Sequence, residues 1–174
     1  MDPSDFEIGT LGPCKLDSPL KLSTVYGDSR ANFQNDAGRV LYDPLAAGCS
    51  EGLSFEAAGP RHKIYFDPSK VTAAIVTCGG ICPGLNNVIR GLVMRMHYRY
   101  GIQRIHGIQY GLRGFVPRYE LPFIALTPER VARIHHVGGT ILGSSRGPQE
   151  VSEIVDTLER QSINVAFFVG GDGT

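Results

Sequence analysis

Hydrophobic and polar positions change their rhythm near residue 70. Before it, Gly, Pro, Asp, Asn and Ser break the apolar residues into short pieces such as Val40-Leu-Tyr and Lys63-Ile-Tyr-Phe. Such punctuation supports turns and short strands rather than a sustained element. Residues 1–69 are expected to form an N-terminal extension, either with two short strands or partly disordered, and residues 70–174 the main unit. From Val71 the pattern becomes strand, turn, helix. Val71 to Thr77 is a mostly apolar run closed by Gly79-Gly80. Val88, Ile89, Leu92, Val93 and Met96 then recur with the 3.6 period of one helix face. Gly101 stands where a helix C-cap belongs. A second strand is predicted over Arg104–Gln109, followed by a glycine-rich loop from Gly111 to Gly114.

Thr127-Pro128-Glu129 supplies an N-cap, a first-turn proline and an early acid, so a short helix is predicted there, ending before Gly138-Gly139. Val151, Ile154, Val155 and Leu158 mark a further helix. It feeds a β-branched and aromatic run, Val165–Val169, which reads as a buried strand. Strands alternating with helices predict a mainly parallel sheet with right-handed crossovers. The expected fold class is α/β, a truncated Rossmann-like three-layer sandwich with an N-terminal extension.

Seventeen basic residues balance seventeen acidic ones, so net charge offers no handle for nucleic acid or an anionic membrane. No run of 18 apolar residues occurs, which excludes a spanning helix from the sequence. The acidic start, Met1-Asp-Pro-Ser-Asp-Phe-Glu, fits neither a signal peptide nor an Arg-rich transit peptide. Cys14, Cys49, Cys78 and Cys82 are scattered without disulfide or zinc spacing, consistent with a reduced, cytoplasmic setting. Any phosphate chemistry must therefore come from local geometry.

Three glycine-bearing loops supply it. Thr77–Asn86 follows the first strand and opens a helix. Glycines at 79, 80 and 84 permit positive φ and close backbone approach, and the helix N-terminus offers unpaired N–H groups to an anion. The spacing is neither the dinucleotide G-x-G-x-x-G nor a Walker A loop, and a plain βα turn would look the same. Gly138–Pro148 carries Arg146, free to lie bidentately across phosphate oxygens or to remain a solvated charge. Gly170-Gly-Asp-Gly-Thr174 leaves the last strand at the edge where open α/β sheets bind ligands. Its glycines allow backbone approach to a polyphosphate, and Asp172 can hold magnesium. All three loops are expected to converge on one sheet edge.

Gly-Gly-x-Cys-Pro-Gly-Leu-Asn (79–86), Gly-Gly-Thr-x-Leu-Gly-Ser-Ser-Arg-Gly (138–147) and Gly-Gly-Asp-Gly-Thr (170–174), in this order, resemble the first half of the 6-phosphofructokinases. The plant and protist type is the nearest match, sharing Phe55-Glu-Ala-Ala-Gly-Pro-Arg-His-Lys-Ile-Tyr-Phe-Asp-Pro68. The resemblance implies ATP-dependent phosphorylation of fructose 6-phosphate in glycolysis, with Mg2+, by a cytoplasmic, tetrameric, allosteric enzyme. It implies that Gly80 contacts the ATP phosphates and that Arg146 stabilises the transferring phosphoryl group, with Gly147 beside it. Gly171, Asp172, Gly173 and Thr174 would form the phosphate loop, with Asp172 acting through magnesium. Gly173 would select the donor, since pyrophosphate-dependent relatives resemble this loop with an aspartate there. An added carboxylate would crowd and repel the α-phosphate.

Arg90 matches the first effector-binding arginine of the bacterial enzymes, but Met94 stands at the second, which argues against bacterial-style ADP regulation. The catalytic aspartate and the fructose 6-phosphate residues of the family would follow Thr174, so a polypeptide ending there is expected to be silent. Other readings are a non-catalytic nucleotide-binding or subunit-pairing fragment, a pyrophosphate-dependent enzyme, and another Gly-Gly-Asp-Gly kinase acting on NAD or a lipid. His62, His97, His106, His135 and His136 lie outside the motifs and read as surface or packing residues.

Overall fold

A computed structural model describes residues 3–42 and 53–171 of the chain. Two compact units emerge, Met1–Asp67 and Pro68–Thr174. The described residues of the first contain four short strands, where two were expected. β1 (Leu16–Asp17) pairs antiparallel with β4 (Lys63–Ile64), and β2 (Arg39–Leu41) with β3 (Ser54–Glu56). The additional strands escape a sequence reading because two- and three-residue strands show no alternation. Two-stranded ribbons of this size are marginal without side-chain support. Phe6 supplies it for β2–β3, buried with its ring 4.8 Å from Phe55 and 5.5 Å from Tyr42. Arg61 ties the unit further, reaching Glu56 Oε1 at 2.7 Å and the Ala57 carbonyl at 2.6 Å.

The second unit is built on a four-stranded sheet of order β7-β6-β5-β8. Its members are β5 (Thr72–Thr77), β6 (Arg104–Ile108), β7 (Ile124–Ala125) and β8 (Val165–Val169). β5 runs parallel to both β6 and β8, and β7 closes the other side antiparallel to β6. Every residue of β5 is buried, as expected of a central strand covered on both faces. The mainly parallel α/β sheet expected from the strand–helix alternation is therefore present.

Three α-helices among the described residues accompany the sheet. α1 (Leu85–Arg95) continues through one π-helical turn, Met96–Tyr100, and stops at Gly101 in the left-handed conformation (φ 75°). Ile89, Val93 and Met96 are buried as the periodicity predicts, each worth about 2 kcal/mol of apolar burial, but Val88 faces outward. α2 (Pro128–Val131) begins where the capping pattern places it, with Thr127 Oγ1 accepting from Arg130 N–H at 3.3 Å. α3 (Val151–Arg160) buries Ile154 and Thr157 rather than the expected Val151 and Val155, which are exposed. Its Ile154 joins Ala74, Val76, Ile108 and Phe115 in one core cluster. The residues between, Ala73, Ile75, Ile105 and Gly107, point to the opposite face. A chain that moves from β5 to β6 on one side, then returns past β5 to β8, places its right-handed crossover helices on opposite faces.

β8 is not the buried strand its composition suggests. Four of its residues are half-buried and Phe168 is 44% exposed, because β8 has only β5 as a neighbour among the described residues. No helix of the described residues is long and apolar enough to cross a membrane.

Candidate functional site

The strand order reverses at β5, so the switch point lies beyond the carboxyl ends of β5 and β8, the position where doubly wound sheets take their ligands in a crevice. The loop after β5 leaves the sheet at that switch point. Cys78 N–H donates to the Val169 carbonyl at 2.8 Å, holding the end of β5 to the end of β8. Gly84 then turns the chain into α1 with φ 95°, a conformation that would cost an L-residue about 1 kcal/mol. No side chain caps α1, so its first N–H groups remain available to an anion.

Arg146 arrives from the second loop. A Cβ built on Gly80 would lie 3.7 Å from Arg146 Nη2, so guanidinium and glycine backbone are neighbours across the two loops. Gly79 and Gly84 have the positive φ their loop was expected to need, whereas Gly80 does not. Its lack of a side chain therefore keeps space open rather than relieving strain. Gly147, with φ 95°, follows Arg146, and both are exposed. Gly171 is exposed after β8. Asp172, Gly173 and Thr174 lie outside the described residues, as does Cys49.

The two loops are fastened by polar side chains that the sequence reading passed over. Ser144 Oγ donates to Gly79 O at 2.6 Å, and Gly79 N–H donates to Ser145 O at 3.1 Å. Thr77, 1% exposed at the end of β5, donates to Gly143 O at 2.7 Å and lies 2.9 Å from Thr140 Oγ1. Asn86, 2% exposed, donates to Val137 O at 2.8 Å and accepts from Ile141 N–H at 2.9 Å. Each such bond contributes about 1 kcal/mol, but leaving a buried partner unpaired costs up to about 3 kcal/mol. The signal in the sequence was a polar residue closing an apolar strand and an amide opening a helix; neither reveals its partner.

Several other titratable groups surround these loops, and His135 and His136 lie beside the start of α1. His135 and His136 stack with ring centroids 3.9 Å apart and line a cavity of about 190 Å³ with Asn87 and Gly139. Desolvation, then the neighbouring His136 and Arg90, holds His135 below the ordinary imidazole range. Arg90, the position matching an effector arginine, donates from Nε to Ala132 O at 3.2 Å. His106 is half-buried, 5.8 Å from the Phe123 ring, and burial lowers its basicity. Cys14, Cys78 and Cys82 are free thiols, and burial pushes that of Cys78 up.

A family model described as phosphofructokinase matches residues 72–174. An ATP-dependent 6-phosphofructokinase of Amycolatopsis methanolica is 46% identical over 97% of the chain, and one of Trypanosoma cruzi is 50% identical over 98%. The chain spans 38% and 36% of the lengths of those relatives. Among solved structures, Pichia pastoris phosphofructokinase in the T-state superposes with a TM-score of 0.53 at 26% identity, over 69% of this chain and 13% of that one.

Proposed function

Because the chain belongs to the phosphofructokinase family, we propose that it carries the nucleotide-binding half of an enzyme that moves the γ-phosphoryl group of ATP to fructose 6-phosphate. The observation that carries this reading is the Arg146 guanidinium beside Gly80, on two interlocked loops at the carboxyl edge of β5. Phosphoryl transfer asks little covalent chemistry of a protein; it needs fixed positions and charge stabilisation around an in-line displacement. Arg146 offers a fork of donors that matches phosphate oxygens and strengthens its hold as charge spreads in the transition state. Gly80 leaves its backbone open to the phosphates, and the uncapped start of α1 adds N–H groups of favourable polarity.

By resemblance to the family, Gly171, Gly173, Thr174 and the Asp172 carboxylate are the phosphate loop that joins them. A magnesium ion bound with a nucleotide takes one or two carboxylates and fills its shell with phosphate oxygens and water, a demand that Asp172 suits. The ion supplies charge neutralisation at the β- and γ-phosphates. Gly173 leaves room for an α-phosphate, which favours ATP over pyrophosphate. By the same resemblance the protein works as a cytoplasmic homo-oligomer, with residues 1–69 as an extension of the catalytic unit.

The test is an assay of the full-length protein carrying this segment, with fructose 6-phosphate and either ATP or pyrophosphate. Fructose 1,6-bisphosphate should form with ATP; turnover with pyrophosphate alone would overturn the assignment of the donor. Gly80→Ala offers a second check. The added methyl meets only Arg146 at ordinary contact distance, so the melting temperature should not move. The KM for ATP should rise by about tenfold or more, because the methyl stands where the phosphates approach. An unchanged KM would remove Gly80 from the site.

A further inference from the structure

We infer that Thr77 and Thr140 form a one-way hydroxyl relay that sets the position of the Arg146 loop, and that both are positioning residues for phosphoryl transfer. The inference rests on the proposed kinase reading and goes beyond it, since neither side chain belongs to the nucleotide cradle. Four observations build it. The Thr77 hydroxyl donates to Gly143 O at 2.7 Å, which commits its single proton. The 2.9 Å contact between Thr77 Oγ1 and Thr140 Oγ1 must then be donated by Thr140. Thr140 Oγ1 in turn accepts from Leu142 N–H at 3.2 Å. The Leu142 carbonyl accepts from Tyr110 N–H at 2.8 Å, tying the same segment to the turn after β6.

The direction of every hydrogen bond is thus fixed, from Leu142 N–H through Thr140 and Thr77 to Gly143 O. The relay bridges the buried end of β5 to the backbone three residues before Arg146. Gly111 adds to the fit. A Cβ there would come within 2.7 Å of Ser145 Oγ and 3.0 Å of Ser145 N, so the segment is seated on both β5 and the turn after β6. The flexible Arg146 side chain therefore starts from a backbone held on the sheet. Displacement of a reacting or charge-stabilising group by about 1 Å can cost about a hundredfold in rate.

Thr77→Val keeps the shape and β-branching of threonine while removing the hydroxyl, and Thr77→Ser keeps the hydroxyl. In the full-length protein, T77V should lower kcat by about a hundredfold, leaving the KM for fructose 6-phosphate within about twofold. T77S should stay within about fivefold of the parent. The decisive measurement is a double-mutant cycle with Arg146→Ala. If Thr77 acts through Arg146, T77V lowers the residual kcat of R146A by no more than about twofold.

Equal loss in both backgrounds, an unchanged kcat in T77V, or failure of T77S to restore activity would overturn the relay. Should T77V lose its folded structure, Thr140→Val carries the same cycle, since it breaks the relay while leaving the Thr77 bond to Gly143. A parent protein without sugar-phosphate kinase activity would show in the first arm alone. That outcome would overturn the functional reading and remove the role assigned to the relay with it.

Discussion

Replacing Arg146 by alanine is expected to lower kcat for fructose 6-phosphate phosphorylation by about a thousandfold in the full-length protein. An arginine that bridges the transferring group earns most of its effect in the transition state, so kcat should fall more than the affinity for ATP. Arg146→Lys keeps the charge but loses the planar fork, and should fall between alanine and the parent. Stability gives the control: Arg146 is exposed, and its removal should shift the folding free energy by no more than about 0.5 kcal/mol. A steady-state assay beside a thermal melt distinguishes the two effects. Retention of kcat within tenfold in the alanine variant would remove Arg146 from the chemistry.

Gly114→Ala should be the most damaging single change to the α/β unit itself. A Cβ at this buried position would overlap the Gln109 carbonyl oxygen and lie 2.6 Å from Ile108 Cγ2. Both neighbours belong to the sheet or its immediate continuation, so neither can swing aside as a long side chain would. The 3₁₀ turn Gly111–Phe115 would have to lift, drawing Phe115 away from Ala74 and Val76. The expected cost is about 3 kcal/mol, read as a lower urea midpoint at unchanged slope. Gly138→Ala, with open space around it, is the matched control and should cost less than about 0.5 kcal/mol. Similar midpoints for the two variants would refute the close-packing account.

Local signals carried much of this structure. β5, β6 and β8 fall within a residue of their expected bounds because apolar runs closed by glycine leave little choice of strand limits. Thr127 and Pro128 placed the start of α2 by capping chemistry alone. What failed depended on neighbours distant in sequence. Val151 and Val155 share an apolar composition with Ile154, yet only Ile154 meets the sheet, where Thr157 is preferred over either valine. β8 has the sequence of an interior strand and the exposure of an edge. The loops that carry Gly80 and Arg146 were legible as candidates, but their junction was not. It depends on Thr77, Asn86 and Ser144 meeting partners 51 to 66 residues away, which no periodicity encodes.

The parallel pairing of β5 with β8 has a kinetic side. β5 finds β6 across 32 residues, from Thr72 to Arg104, but the Thr72 N–H meets the Asn164 side chain across 92. Loop-closure entropy makes the second pairing the more costly contact to nucleate, and contacts of long sequence separation set the pace of folding. In a polypeptide leaving the ribosome, β5, α1 and β6 can associate long before β8 exists. The crevice that lies between β5 and β8 is thus expected to form last, and to open first under stress. Catalytic competence would then report the completion of folding more faithfully than helix content does.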